Sequence, residues 1–211
     1  MKLKCVRRWV FLFLTIPLLA KAYNLDEIVL RLKEEGRKVQ RLKMQFLQER
    51  RSPNGKVSKL QGTIWLERPN GFRMEVLPPY ESITVIKSDE LWIYFPKEKM
   101  VQRVKLSKDP TLARWVNFLQ EPWEEIRKKG TLEGKEGNRF VIRIETSSDF
   151  EDLSFIRVWV DEKLWLPVKV FMKEKSGEEA TIMYSKFELN PDFPPTLFDL
   201  NLPADVQVTE L

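Results

Sequence analysis

The side chains that most often carry enzyme chemistry are scarce in this chain of 211 residues. It contains no histidine and one cysteine, Cys5, so it lacks the residues for Ser-His-Asp triads and for histidine metal sites. Adjacent carboxylates remain at Glu124–Glu125 and Glu178–Glu179, and a carboxylate pair is what glycoside hydrolysis needs. Both pairs lie in strongly charged segments, where neighbouring acids are usually solvated. We therefore expect a protein that is not an enzyme, with no catalytic residue, no metal site and no cofactor.

Positive charge could also suggest a function, and it is concentrated at the N-terminus. The chain has 36 Lys and Arg against 31 Asp and Glu, a net charge of +5. The first 22 residues hold five of the basic residues and no acid, so the rest of the chain is neutral. A nucleic-acid surface is therefore not expected, and the dispersed glycines form no phosphate-binding loop.

The N-terminal segment has the pattern of a secretory signal. A basic start precedes an apolar run from Trp9 to Ala20, and small residues lie at Ala20 and Ala22. This pattern predicts a cleavable signal peptide over residues 1–22 and a soluble exported chain that begins at Tyr23. The run is shorter than the roughly 20 residues of a bilayer span, although an uncleaved membrane anchor is the alternative. Cys5 precedes the run, so we expect no lipid-modified cysteine.

Arg68 is the charged residue whose predicted position is hardest to reconcile with a solvent-exposed side chain. Around Pro69, the even positions of two predicted strands are apolar and form the predicted inner face: Ile64, Leu66, Phe72, Met74 and Val76. If the register continues, Arg68 also faces inward, where an unpaired guanidinium is costly. Two explanations stay open. Either Arg68 is a strand-end residue that reaches out to a carboxylate, which we favour because alternation is least reliable at the end of a strand, or it faces inward with a partner.

An amphipathic helix must open the chain, and short strands follow it. Asn24 is a predicted N-cap, and Leu25, Ile28, Val29 and Leu32 recur at helical spacing. From Leu42 the period changes to two, with turn signals rich in Pro, Asn and Gly. The predicted strands are 59–67, 72–77, 82–86, 91–95, 101–106, 139–145, 155–161, 167–173 and 180–189. This pattern predicts an antiparallel sandwich or barrel.

Three segments depart from simple alternation. A second helix is predicted over Thr111–Gln120, ending before Pro122, since its apolar residues have helical spacing: Leu112, Trp115, Val116 and Leu119. Strands 91–95 and 155–160 are apolar on both faces, which indicates either a helix packed outside the sheet or a filled sandwich core.

The order of these features resembles the periplasmic lipoprotein carrier family LolA. The similarity runs through the strand 42–48, the string Gly62-Thr-Ile-Trp-Leu-Glu-Arg-Pro-Asn70 with Phe72, the segments 79–83 and 89–94, and the tail 198–203. The pattern G-x-x-W-x-x-R-P-x-x-F is the most specific of these. The resemblance spans nearly the whole predicted mature chain.

The resemblance implies a mainly β (α+β) fold in a single domain over residues 23–211. This would be an antiparallel, unclosed β-barrel with an amphipathic N-terminal helix and a helical lid. By motif position Arg68 would be the latch between barrel and lid. The acyl-chain cavity would include Ile64, Leu66, Phe72 and Met74, and the lid would include Leu112, Trp115, Val116 and Leu119.

The same resemblance implies a function in transport between membranes. It describes a monomeric periplasmic chaperone that binds the acyl chains of triacylated lipoproteins in a hydrophobic cavity. Its donor would be an inner-membrane ABC transporter, and its acceptor an outer-membrane lipoprotein receptor. The alternative is a lipid- or lipoprotein-sensing regulatory domain of the same fold. A lipocalin-type binder of small ligands is disfavoured by the two helices.

Overall fold

The computed structural model describes residues 23–69, 71–146 and 152–210. The predicted signal peptide and Asn70 of the family string lie outside the described residues. Among the helices of the described part of the chain, none has the length and apolar character of a membrane span.

Helix α1, Leu25–Lys38, begins where the sequence predicts. The Asn24 side chain accepts a hydrogen bond from the Glu27 backbone N–H at 2.8 Å, and the Glu27 carboxylate accepts one from the Asn24 N–H at 3.4 Å. This reciprocal capping box satisfies two backbone donors that a helix start leaves unpaired. The predicted apolar face is buried at Ile28, Val29 and Leu32.

In the described part of the chain, twelve strands form one sheet that does not close on itself. They are β1 Arg41–Arg51, β2 Val57–Glu67, β3 Gly71–Val76, β4 Ser82–Lys87, β5 Glu90–Phe95, β6 Met100–Lys105, β7 Gly130–Glu136, β8 Arg139–Glu145, β9 Leu153–Asp161, β10 Pro167–Glu174, β11 Glu179–Leu189 and β12 Gln207–Glu210. Their order is β12-β6-β5-β4-β3-β2-β1-β11-β10-β9-β8-β7. Neighbours are antiparallel, except that β12 runs parallel to β6. The predicted mainly β, unclosed architecture is confirmed.

Two helices connect the halves of the sheet. Helix α2, Pro110–Gln120, follows a short 3-10 turn at Leu106–Lys108, and the Asp109 side chain accepts from the Leu112 N–H at 2.9 Å. Helix α3, Pro122–Lys129, starts directly afterwards and is absent from the sequence prediction. Pro122 cannot continue α2, but proline suits the first turn of a new helix because its missing N–H would be unpaired there.

The core consists of two hydrophobic clusters on the inner face of the sheet. The first joins α1 and α3 to strands β8–β10 and includes Ile126, Ile142 and Ile156, each buried completely. The second joins α2 to strands β1–β6 and includes Phe46, Ile64 and Phe72. Helices therefore cover one face of the sheet, as a lid covers an open barrel.

Strand β9, which is apolar on both faces, has an explanation that differs from both expectations. On the outer face, the Arg143 guanidinium lies 3.7 Å from the centre of the Phe155 ring, and the Lys169 ammonium lies 4.1 Å from the Trp159 ring. Trp159 is only 5% exposed. Long cationic side chains thus shield the outer aromatic rings by cation–π contact. Among the described residues, neither an outer helix nor a second sheet covers them.

Candidate functional site

An apolar cavity of about 100 Å³ lies between the sheet and the helices. Its sheet wall comes from β1, β2, β3, β9, β10 and β11, and α1, α2 and α3 also contribute residues. The lining is hydrophobic except for four residues with polar groups: Arg68, Trp123, Trp165 and Tyr184. This chemistry suits alkyl chains, which gain free energy when they leave water for an apolar surface.

The predicted cavity residues occupy neighbouring positions on the inner face. Leu66 pairs with Phe72 across β2 and β3, and Ile64 pairs with Met74. Ile64, Leu66 and Phe72 line the cavity, whereas Met74 packs against the second hydrophobic cluster. The alternation around Pro69 therefore identified the inner face correctly.

A wider groove, mainly on the opposite face of β1 and β2, has a volume of about 630 Å³. It is larger than the cavity, but polar and charged side chains contribute to its lining: Gln45, Gln61, Thr63, Arg139, Asp161, Lys169 and Ser185. Polar groups lose hydration when alkyl chains cover them. The smaller cavity is therefore the better candidate for an apolar ligand.

Gly62, which opens the family string, lies where two strands and an aromatic ring approach closely. A Cβ atom at this position would lie 1.9 Å from the Glu75 carbonyl oxygen and 2.8 Å from the Phe46 ring. Any larger residue would displace backbone on β3. Only glycine allows β2 to pass this near to Phe46 and Glu75.

Residues from the end of α2 and the start of α3 close the cavity, and sequence analysis missed them. They are Phe118, Pro122 and Trp123. The Trp123 ring packs on Gly36 of α1, where an added Cβ atom would lie only 2.9 Å from a ring carbon. Gly36, which the helix pattern tolerates poorly, thus makes room for the aromatic side chain that covers the cavity.

The predicted lid residues lie on α2, and most of them pack in the hydrophobic core. Leu112 and Val116 pack in the second cluster, and Trp115 packs against the first. The side chain of Leu119 lies outside the described residues. Helix α2 thus spans both clusters, and its last turn leads to the residues over the cavity.

Arg68 connects the end of β2 to both covering helices. Its Nε donates a hydrogen bond to the Val39 carbonyl, just after α1, at 3.2 Å. Its guanidinium carbon lies 5.1 Å from the centre of the Trp123 ring on α3. The side chain therefore has both a hydrogen-bond acceptor and an aromatic partner, and it is partly buried at the cavity.

The electrostatic surroundings of Arg68 agree with this placement. Burial lowers the pKa of the guanidinium, while the carboxylate of Glu121, between α2 and α3, raises it. Arginine keeps its charge in proteins, so the site holds a cation at the edge of an apolar cavity. The Glu121 charge adds an attraction between Arg68 and the junction of α2 and α3.

No group of three or more Asp, Glu, Cys or His residues in the described segments could hold a metal ion. The site thus offers an apolar cavity, a covering helix pair and one cation that bridges them. Such a site can enclose an apolar ligand.

Known proteins resemble the chain over most of its length. The family model described as "Outer membrane lipoprotein carrier protein LolA" matches residues 37–201. A protein of Idiomarina loihiensis named "Outer-membrane lipoprotein carrier protein" is 25% identical over 178 residues, which cover 82% of this chain and 83% of that protein. A protein of Dechloromonas aromatica with the same name is 25% identical over 197 residues and covers 93% and 92% of the two chains.

Solved structures share the fold at low sequence identity. An uncharacterized conserved protein from Thermus thermophilus superposes with a TM-score of 0.60 at 12% identity, over 89% of this chain and all of that one. MucB superposes with a TM-score of 0.52 at 16% identity, over 87% of this chain and 64% of MucB. At these identities the structures support the architecture alone.

The family match covers most of the chain, including strand β1, the Gly62–Phe72 string, helices α2 and α3 and strand β11. The two proteins from Idiomarina loihiensis and Dechloromonas aromatica bear the name of this family, and the match covers more than four fifths of their own length. On these grounds the chain belongs to the LolA family of outer membrane lipoprotein carrier proteins.

Proposed function

We propose that this protein carries lipoproteins by enclosing their acyl chains in the apolar cavity beneath α3. The observation that carries the proposal is the cavity itself, because it is apolar, faces the covering helices and has Arg68 between sheet and helices. A triacylated lipoprotein cannot cross an aqueous compartment with its chains exposed, since each methylene gains about 0.8 kcal/mol on burial.

The cavity is small for such a ligand. Pockets that hold drug-sized ligands have volumes of roughly 300–1,000 Å³, whereas this cavity has about 100 Å³. We infer that the structure represents the closed, empty form and that α3 moves away when acyl chains enter. Closure then competes with cargo, because a ligand that binds the open form must first overcome the closed one.

Arg68 is the proposed latch of the closed form. Its contacts with Val39 and Trp123 join β2 to the ends of α1 and α3. Opening breaks the contact with Trp123, so the latch sets how strongly the empty form resists cargo. A moderate resistance favours delivery, since a carrier that binds too tightly does not release.

By its family, the protein would work in the periplasm as a monomer, after removal of residues 1–22. It would receive triacylated lipoproteins from an inner-membrane ABC transporter and deliver them to an outer-membrane receptor. A sensing domain of the same fold would also bind acyl chains, but it would not pass them on.

Mass spectrometry of material extracted from the native protein tests the proposal. The mature protein is purified from the periplasm of cells that produce lipoproteins, and bound molecules are identified. We expect intact acylated lipoprotein, together with transfer to an outer-membrane acceptor in a reconstituted assay. Recovery of free lipid without transfer would favour the sensing domain, and recovery of nothing would contradict both.

A further inference from the structure

Tyr184 is a tyrosine of the inner sheet face that no part of the proposed function uses. It lies on β11 opposite Phe46 of β1 and packs against both hydrophobic clusters. It lines both the apolar cavity and the wider groove. The structure gives its hydroxyl group no hydrogen bond to any of the residues that it describes. The side chain is partly buried, and the hydroxyl of a tyrosine packed in this way usually has a partner.

The cavity offers few other hydrogen-bond donors. Among the described lining residues, the side chains that can donate are Arg68, Trp123, Trp165 and Tyr184. Arg68 belongs to the proposed latch, through its contacts with Val39 and Trp123, and Trp123 lies on the helix that must move when cargo enters. The Trp165 ring stacks on Phe140 at 5.6 Å. Tyr184 is therefore the donor fixed in the sheet wall.

We propose that the Tyr184 hydroxyl donates a hydrogen bond to an ester carbonyl of the cargo's glyceryl-linked acyl chains. This inference rests on the proposed function and adds a polar subsite to it. The carbonyls are the acceptors nearest to the alkyl chains, so they reach an apolar cavity together with those chains. A donor in the wall lets the carbonyl leave water without losing its hydrogen bond.

The protonation state of Tyr184 suits this role. Burial raises the pKa of the phenol to about 12, so the group stays neutral and keeps its proton at physiological pH. A neutral phenol can donate to a carbonyl, whereas a phenolate cannot.

Two synthetic lipopeptides test the inference. One carries a diacylglyceryl cysteine with ester-linked palmitoyl chains, and the other is its ether-linked analogue, which has no carbonyl at those positions. We expect the wild-type mature protein to bind the ester about 3- to 10-fold more tightly than the ether, the range of one neutral hydrogen bond. The Tyr184→Phe variant should bind both with the wild-type affinity for the ether.

Tyr80→Phe is the matched control, because it removes the same hydroxyl from an exposed tyrosine outside the cavity; it should keep the ester preference. Infrared spectroscopy gives a direct readout, since the ester carbonyl band of bound lipopeptide should lie at lower frequency in the wild type than in Tyr184→Phe.

Three results would overturn the inference. They are an absent ester preference in the wild type, a preference that survives in Tyr184→Phe, or an equal loss of affinity for both ligands in that variant. The comparison of ester and ether binding by the wild-type protein tests the inference even if Tyr184→Phe does not fold. Failure of the wild type to bind either lipopeptide would instead contradict the proposed carrier function.

Discussion

Arg68 and Tyr184 give the cavity two different kinds of polar group. Arg68 is a permanent cation at the end of β2, with partners on both sides of the cavity. Tyr184 is a neutral hydroxyl in the sheet wall, and it has no hydrogen bond to the described residues. The first opposes opening of the closed form, and the second is free to bind what enters.

Replacing Arg68 by Leu should produce a carrier that loads well and delivers poorly. The change removes the hydrogen bond to Val39 and the contact with Trp123, which together stabilise the closed form by about 1–3 kcal/mol. Because closure opposes cargo, affinity should rise by about 5- to 150-fold. The loaded fraction of purified protein and the rate of transfer to an acceptor measure both effects.

Arg127→Leu is the control for loss of an arginine near the cavity, since Arg127 lies exposed on α3 and pairs with Glu124 at 3.0 Å. It should leave loading and transfer unchanged. If Arg68→Leu behaves in the same way, Arg68 is only a strand-end charge, the explanation that the sequence favoured.

Tyr184 should make the folded state sensitive to strongly alkaline pH. Its pKa is about 12 in the folded protein and about 10 in an unfolded chain. Below pH 10 both states keep the proton, so the group contributes its full stabilisation there. Between pH 10 and 12 the unfolded state loses the proton first, so the free energy of unfolding falls, by about 3 kcal/mol at most. Denaturant unfolding of wild type and Tyr184→Phe across this range isolates the effect as their difference.

The expected difference is a steeper loss of stability with rising pH in the wild type than in Tyr184→Phe. Parallel curves would show that the phenol is open to solvent, which would also remove it from the cavity wall.

Among elements, the contact between α1 and α3 controls how the cavity is covered. Gly36→Ala should weaken this contact, because the added methyl group would lie 2.9 Å from the Trp123 ring. Alanine favours a helix by about 0.5–1 kcal/mol over glycine, but an overpacked site costs about 1–3 kcal/mol. We expect a net loss of about 1 kcal/mol in the free energy of unfolding and a changed Trp fluorescence spectrum.

The difference between Glu34→Gly and Glu34→Ala, at an exposed position of α1, measures the effect of helix propensity without the clash. If Gly36→Ala stabilises the protein as an ordinary glycine replacement in a helix does, the ring of Trp123 does not rest on α1.

The elements show clearly what sequence patterns could predict. Alternation located the inner face at Ile64, Leu66 and Phe72, and Asn24 marked the start of α1, because both signals depend on near neighbours in the chain. Helix α3 was missed because Pro122 ends one helix and starts another. Strand β7 was missed because it is an edge strand with little apolar alternation. Trp123 and Tyr184 entered the site only through contacts between distant segments, which periodicity does not report.

At the scale of the whole molecule, each of the two hydrophobic clusters holds different helices on the sheet. The first holds α1 and α3 on β8–β10, and the second holds α2 on β1–β6. The cavity draws residues from both, so enlarging it must separate helices from the sheet. A sheet without closure permits this movement, since the ladder between strands need not break.

The central claim is that acyl chains occupy the cavity beneath α3, and site-specific photo-crosslinking tests it most directly. The photoreactive residue p-benzoylphenylalanine replaces Phe72, which lines the cavity, or Trp65, which lies on the other face of β2 between two cavity residues. Each variant is irradiated in the presence of an acylated lipopeptide. The account predicts a covalent adduct through an acyl chain at position 72 and none at position 65. Equal crosslinking at both positions, or crosslinking only at position 65, would contradict it.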